Sequence, residues 1–534
     1  MPSPTPTAFT RRHALKTGAT AGAALTLSGP LLNHAAIARG TRVPIATAGS
    51  FEHGVASGFP RPKGAVLWTR LTGLDRTSRV NFEVARDADF RRIVRSDRAH
   101  AFAKRDFTIH AEVGGLKPAT EYHYRFFTKE GESTVGRFRT APPPDSMQPV
   151  RVGFYSCQSY EAGFFNAHAA LAEEPDLDLV VCLGDYIYEQ NFYDGPEERR
   201  DTTGSNGDGD VQTLGEYRDK YRLYQADPDL QAMQAAHPLV SIWDDHEVEE
   251  NNAGQRPSSK ADEGEDGGGT PRRIPYLERR RNAYHTFFEA MPRKRIKRDP
   301  DRIYGRARLG RMADLFLLDT RQYRDQQPCG DQIAVPCPDT DDPSRVLLGA
   351  EQKGWLKQSL ERSPATWKLL GNQIMLMGFD SAPGVTLNVD GWDGYAAERR
   401  ELMEHVLEKD VANVVSLVGD VHTFFAGQVT PSGRLGPPPA AVEFVGGSMT
   451  SFGVNDTFNL TPQQFALIAD RGLLTNPHWT YANFVEKGYG VVSMNAEEIV
   501  CEYKAVATTA ERNRESFSLA KFRVAAGSHE VEQL

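Results

Sequence analysis

Five short stretches of the chain place polar residues directly after apolar runs. Cys157 follows the run in "RVGFYSCQSY". Asp185 and Tyr188 follow "DLDLVVCLGD", within "GDYIYE". Asp244, Asp245 and His246 open "WDDHEVEENN". Asn372 and Gln373 close "TWKLLGNQ", and Asp420 and His422 close "NVVSLVGDVH". A Gly-Asp pair after a strand is by itself often only a turn. Five such ends carrying acids, amides, a tyrosine, histidines and a thiol suit a polynuclear metal site by ligand count and type. Residue type alone leaves Cys157 open. It is a small buried hydrophobe, a disulfide partner, a nucleophile or a metal ligand. A nucleophile would want a histidine base beside it, and no such pair is legible.

These residues need elements to position them. From Pro149 onward, apolar runs of strand length alternate with helical patterns such as "AGFFNAHAALAEE". That alternation predicts an α/β layered sheet, in which ligands bind beyond the carboxyl ends of the strands. Upstream, residues 50–141 alternate with a period of two, as in "RVNFEVARD" and "EYHYRFFTKEG", and predict a small β-sandwich. Tyr122 in "GLKPATEYHYRF" is a tyrosine-corner candidate. The Pro-rich "RTAPPPDSMQP" predicts a boundary before a catalytic domain over 149–525. Two Gly- and acid-rich stretches, "DGPEERRDTTGSNGDGD" and "GQRPSSKADEGEDGGGTP", are expected as disordered surface insertions rather than active-site lids.

The 534 residues carry a formal charge of −9, with 40% hydrophobic and 25% charged side chains. That balance gives no global basic field for nucleic acid, so an anionic substrate must meet local cations or metals. Arg11 and Arg12 precede a weakly apolar Ala/Gly-rich run and a small-x-small site at Ala36-Ile37-Ala38. This resembles a twin-arginine export signal over residues 1–38, too short and weak to span a membrane stably. It implies the twin-arginine translocase as a transient partner and a secreted, periplasmic or wall-associated product. Of five cysteines, Cys329 and Cys337 share a Gly/Pro-rich loop and are the expected disulfide. Cys182 and Cys501 sit in apolar or alternating stretches and read as core residues.

The series GD-x-x-Y, DDHE and GDVH, together with "HGVASGFPRPKGAVLWTRL" and the export signal, resembles the PhoD-like branch of the metallophosphoesterases. The resemblance implies a two-sheet sandwich flanked by helices, preceded by the small β domain. It implies that Asp185 bridges two metals, held about 3.5–4 Å apart in hydrolases of this kind. Asp245 would bind the second metal, with an amide oxygen from Gln373 or Asn372. His422 would bind the first metal and Asp420 the second. The commoner phosphoesterase pattern has Gly-Asn-His-Glu for "DDHE", and a histidine where Asp420 stands. Replacing nitrogen and amide donors by hard carboxylates favours Ca2+ at the second site.

Most relatives place an aspartate where this chain has Cys157. With Tyr188 and Asp185, a Cys157 thiolate makes a triply anionic set beside neutral His422. That set suits Fe3+, as the resemblance also implies, and resolves Cys157 as a ligand. A metal-activated hydroxide would then attack phosphorus. His246 would protonate the leaving alkoxide, or would hydrogen-bond the ligands instead. Of Arg279, Arg280 and Arg281 in "PYLERRRNAYHTFFEAMP", Arg281 is the favoured phosphate clamp, with a solvated basic helix face as the alternative. The expected function is an exported phosphomonoesterase or phosphodiesterase, acting as a monomer. A calcium-dependent phospholipase D of the same fold and a metal-stabilised binder of surface polymers are the competing readings.

Overall fold

A computed structural model describes residues 43–534, except 262–263, 334–336, 437, 454–455 and 457–460. The signal-peptide expectation for residues 1–38 lies outside the described residues. Two large sheets form the body. One has ten strands, with Val150–Tyr155, Leu179–Cys182 and Pro238–Ser241 at its centre. The other has seven, with Ala313–Leu317, Trp367–Asn372, Val414–Val418 and Ala441–Gly446 as neighbours.

The period-two geometry of a strand explains how these runs can be apolar throughout. In Val414–Val418, Val415 and Leu417 join the core between the two sheets. Val414 and Val418 join a second core on the opposite face. There they meet Leu356 and Leu360 of helix Gly349–Arg362 and Leu402 and Met403 of helix Ala396–Glu408. A strand buried on both faces needs no polar alternation. The central strands also run parallel: Val150–Tyr155 with Leu179–Cys182, that strand with Pro238–Ser241, and Trp367–Asn372 with Val414–Val418. Parallel pairing brings their carboxyl ends to one rim of each sheet.

The N-terminal segment is all-β, but its strands divide between two sheets. Ser78–Ala85, Ile93–Ala101, Glu121–Phe127 and Gly136–Arg139 form a separate four-stranded sheet. Val55–Arg61, Gly64–Arg70 and Thr108–Val113 instead extend the ten-stranded sheet. The joint is a parallel pairing in which Ser57 faces Pro238 and Gly58 faces Leu239. The Pro-rich linker therefore does not set off a free-standing sandwich, and residues 43–534 form one compact unit. Alternation along a strand reports which face is buried. It does not report which neighbour satisfies the backbone edge. The Tyr122 hydroxyl accepts from Lys117 N–H at 2.9 Å, which is the corner contact the sequence suggests.

In their described residues the Gly- and acid-rich stretches are packed against the body, which corrects the expectation of disorder there. Asp201 forms a buried ion pair with Lys220. Asp210 pairs with Arg273 at 2.8 Å and Asp266 with Arg279 at 2.7 Å. These acids are internal partners of cations, two of them the fully buried Lys220 and Arg279, a role that composition does not reveal. The Cys329–Cys337 disulfide is formed, with Cα atoms 6.0 Å apart, and Cys182 and Cys501 are buried free thiols.

Candidate metal centre

Four of the sequence-selected residues share an unusual backbone. Cys157, Asp185, Asp420 and His422 have φ of 57°, 53°, 67° and 50°. Non-glycine residues reach this left-handed region at a cost of about 1–2 kcal/mol each, and such strain clusters at functional sites. Each residue stands where the chain turns away from a strand end. The glycine of each Gly-Asp pair permits the turn. A Cβ on Gly184 (φ 120°) would lie 2.5 Å from the Cβ of Asp244, and one on Gly419 would lie 2.3 Å from Ser156 Oγ. Backbone hydrogen bonds then tie neighbouring ends together, with Cys157 N–H to Gly184 O at 3.3 Å and Gln158 N–H to Asp185 O at 3.1 Å.

Two triads result. Ligand atoms of Cys157, Asp185 and His422 lie within 4.8 Å of one another, and so do those of Asp185, Asp245 and His246. Asp185 belongs to both, as a bridging carboxylate must. The Tyr188 hydroxyl is 3.2 Å from Asp185 Oδ2 and 3.1 Å from His422 Nε2. His422 Nδ1 lies 2.6 Å from the Phe452 carbonyl, so Nδ1 carries the proton and Nε2 turns its lone pair to Asp185 and Tyr188. Asp185 Oδ1 is buried and has no hydrogen-bond partner.

Electrostatics favour a cation here. Burial, then the charges of Asp245, Asp244 and Glu247, push Asp185 well above the usual carboxylate range. Burial, then Asp244 and Asp390, do the same to Asp420. Burial and the nearby Asp185 raise both the Cys157 thiol and the Tyr188 phenol. Burial lowers His422 to about 3, leaving it a neutral donor. Metal cations reverse this logic by stabilising the anionic forms of all these groups. A thiol, a phenol and an imidazole beside Asp185 in one triad, and a carboxylate and a second imidazole in the other, are donor types that fit metal cations.

One cation of the protein already sits among the acids. Arg321 is fully buried. It donates to Asp244 through Nε and to Asp390 through Nη1 at 2.9 Å. Its Nη2 lies 3.6 Å from Asp245 and 3.8 Å from Asp420. Arg321 and His246 hold Asp245 well below its ordinary value despite its burial. Arg321 follows the strand Ala313–Leu317 in "LLDTRQ", the same strand-end signal that marks the other site residues, and sequence reasoning passed over it. Asp390 has no such signal.

Glu247, the last residue of "DDHE", was also missed. Its carboxylate accepts from the backbone N–H of Asp244 and Tyr186, both at 2.7 Å, and of Asp185 at 3.2 Å. It fixes two strand ends against each other. Glu189 closes "GDYIYE" and lies 2.8 Å from His246 Nδ1. The His246 ring stacks on Tyr188 with centroids 4.1 Å apart. Although burial opposes it, the carboxylates of Asp245, Glu189 and Asp185 raise the His246 pKa well above its ordinary value.

Two expected roles do not match the placement. Gln373 Nε2 donates to the carbonyls of Trp243 (2.8 Å) and Leu318 (2.9 Å), and its Oε1 accepts from Thr320. Both ends of the amide brace strand-end loops, so its ligand role is corrected to a structural one. Asn372 likewise donates to Ile374 O. Arg281 is exposed and makes no ion pair among the described residues. The inward arginine of helix Tyr276–Ala290 is Arg279, bound to Glu249 at 3.0 Å and Asp266 at 2.7 Å. Two helical residues apart is about 200° around the axis, so both cannot face inward.

Comparison with known proteins bears on family and fold. The family model described as "PhoD-like phosphatase" matches residues 152–503, and that of its N-terminal domain matches residues 38–142. Alkaline phosphatase D of Bacillus subtilis (strain 168) is 35% identical over 474 residues, covering 85% of this chain and 77% of that protein. A solved structure of PhoD superposes with a TM-score of 0.80 at 32% identity, over 92% of this chain and 93% of that one. A purple acid phosphatase from yellow lupin (Lupinus luteus) seeds shares the fold, with a TM-score of 0.50 and 12% identity over 87% and 73% of the two chains. By sequence, fold and domain order, the chain belongs to the PhoD-like phosphatase family.

Proposed function

We propose that this phosphoester hydrolase is an exported, metal-dependent enzyme acting on phosphate monoesters, diesters or both. Cys157, Asp185, Tyr188 and His422 would hold Fe3+, and Asp185, Asp245 and Asp420 would hold Ca2+. The observation that carries the reading is the shared Asp185, with one buried oxygen unpartnered, between the Cys157–His422 pair with Tyr188 beside it and the Asp245–His246 pair. When bound, the metals would supply Lewis acidity and lower the pKa of water.

The chain's own groups then have separable tasks. The Phe452 carbonyl sets the His422 tautomer. Glu247 holds the Asp185 and Asp244 loops in register. Arg321 balances charge among the aspartates without reaching solvent. Glu189 anchors His246 through Nδ1, which leaves the Nε2 proton available to a leaving alkoxide.

The test is turnover of a monoester, of bis-(p-nitrophenyl) phosphate and of phosphatidylcholine by one metal-loaded preparation. EGTA should abolish activity reversibly while iron is retained on dialysis. Full activity in EGTA, or recovery with zinc alone, would sink the metal assignment. Head-group release from phosphatidylcholine without turnover of the monoester or of bis-(p-nitrophenyl) phosphate would move the function to a phospholipase D. Export is tested by changing Arg11 and Arg12 to lysine, and normal secretion of that double variant would remove the twin-arginine reading.

A further inference from the structure

The chain is acidic overall, yet its cations are concentrated at one place outside the strand-end centre. Two adjoining cavities, of about 530 and 470 Å3, lie beside the edge strands of the two large sheets, Thr108–Val113 and Gly305–Leu309. They share Glu112, Arg293 and Lys294 as walls. The segment between them, "MPRKRIKR", is the densest run of cations in the described chain.

Several of these cations are partly neutralised. Glu112 pairs with Lys294 at 2.7 Å and reaches Arg61 at 4.0 Å. Asp301 pairs with Arg295, and Asp314 with Arg308 and Arg306. Glu289 is taken by Arg218 and His285. Lys104, Arg105, Arg293, Lys297 and Arg302 line the cavities with no carboxylate within 4.0 Å among the described residues.

Arg293 is the distinctive member. Only 6% of it is exposed, and it walls both cavities. It donates to the carbonyls of Ser241 (2.8 Å) and Ile303 (3.1 Å), while its Nε has no partner. Burial pulls its pKa down to about 9, so the guanidinium stays charged at neutral pH. A buried, charged guanidinium without a counter-ion is costly unless an anion arrives.

The aromatic residues narrow the ligand. Single-stranded nucleic acids stack their bases on free aromatic faces. Here the faces are covered by the protein's own arginines. Arg302 lies 3.9 Å over Tyr304, Arg293 5.0 Å over Phe59 and Arg295 5.0 Å over Phe288. The polar groups that remain among the apolar walls are a row of N–H donors. The register also locates the groove. Gly58 pairs in parallel with Leu239, so Arg61 points the way that Ser241 leads to Asp244, and Gly305 faces Leu317. The groove therefore opens on the same rim as the metal centre, further along each sheet.

We propose that this groove binds a linear phosphate polyanion, a chain of phosphates without stacking bases, at a site separate from the strand-end centre. The probe is end-labelled linear polyphosphate, read by fluorescence anisotropy across a salt series, with chain length verified afterwards. Lys104, Arg105 and Lys297 are exposed and unpaired, so Lys104→Gln, Arg105→Gln and Lys297→Gln combined should fold. With ~0.7 counterions released per phosphate contact, the salt slope should fall by about 2, and affinity by about a hundredfold at ~0.1 M salt. Monoester turnover should stay at the wild-type rate. Binding is read without turnover, so the outcome does not depend on the proposed reaction. An unchanged slope and affinity in the triple variant overturn the groove. Tighter binding of single-stranded DNA of equal charge overturns the ligand class.

Discussion

Replacing Glu247 by alanine should destabilise the protein without removing any candidate ligand. The Glu247 side chain is fully buried, and three buried backbone donors depend on it. Oε2 serves Asp244 N–H at 2.7 Å and Asp185 N–H at 3.2 Å, and Oε1 serves Tyr186 N–H at 2.7 Å. A buried donor left without an acceptor costs about 1–3 kcal/mol. Three of them give about 3–9 kcal/mol. Removing a buried carboxyl offsets part of this, and the loops relax, so about 3–4 kcal/mol is the expected loss. That is a large fraction of the ~5–15 kcal/mol that holds a typical domain together. Glu247→Gln keeps one oxygen acceptor and turns an amide N–H toward another donor, so it should lose about 1–3 kcal/mol. Urea unfolding followed by tryptophan fluorescence gives both values. Because Asp185 and Asp244 are positioned through this carboxylate, kcat should fall in both variants, further in alanine. An alanine variant within about 0.5 kcal/mol of wild type would refute the reasoning, since the three donors would then have found other partners.

Further outcomes follow from the site. Cys157→Ser should lose iron and activity together, and Cys157→Asp should lose less, because it restores an anion; elemental analysis ranks them, and a purely structural thiol predicts the opposite order. Arg321→Met leaves Asp244 buried without its cation, while Asp390 keeps Arg324 at 3.2 Å, and should cost about 3–5 kcal/mol in urea unfolding. Arg281→Ala should leave kcat and KM unchanged, whereas Arg279→Ala should lower the unfolding midpoint, because it strips Asp266 of its cation and leaves Glu249 with Arg272 alone. Removing the Cys329–Cys337 bridge should cost about 2.5 kcal/mol, from the closure entropy of so short a loop.

Much of the site was legible because strand-end chemistry is local. An apolar run of strand length followed by a ligand-type side chain can be read without knowing what packs where. Cys157, Asp185, Tyr188, Asp245, His246 and His422 were found that way, and the structure brings them together. The same rule, applied to "LLDTRQ", reaches Arg321. It fails at Asp390, which lies in an irregular loop and meets Arg321 only through the fold. It also misleads at Gln373, where a strand-end amide braces the carbonyls of Trp243 and Leu318.

The sequence by itself determined the layered α/β body, the strand-end placement of the ligand-type residues, the local disulfide and the family. All of these rest on short-range periodicity, spacing and residue type. Only the tertiary structure decided how those parts pair. It merged Val55–Arg61 into the catalytic sheet, because an open strand edge is satisfied by whichever neighbour the fold supplies. It packed the acid-rich stretches onto Lys220, Arg273 and Arg279, because a carboxylate's partner can lie anywhere in the chain. It turned Arg279 inward and Arg281 out, because the phase of a helix is set by what it packs against. Pairing and phase are long-range choices, made by burial and charge balance across the whole chain.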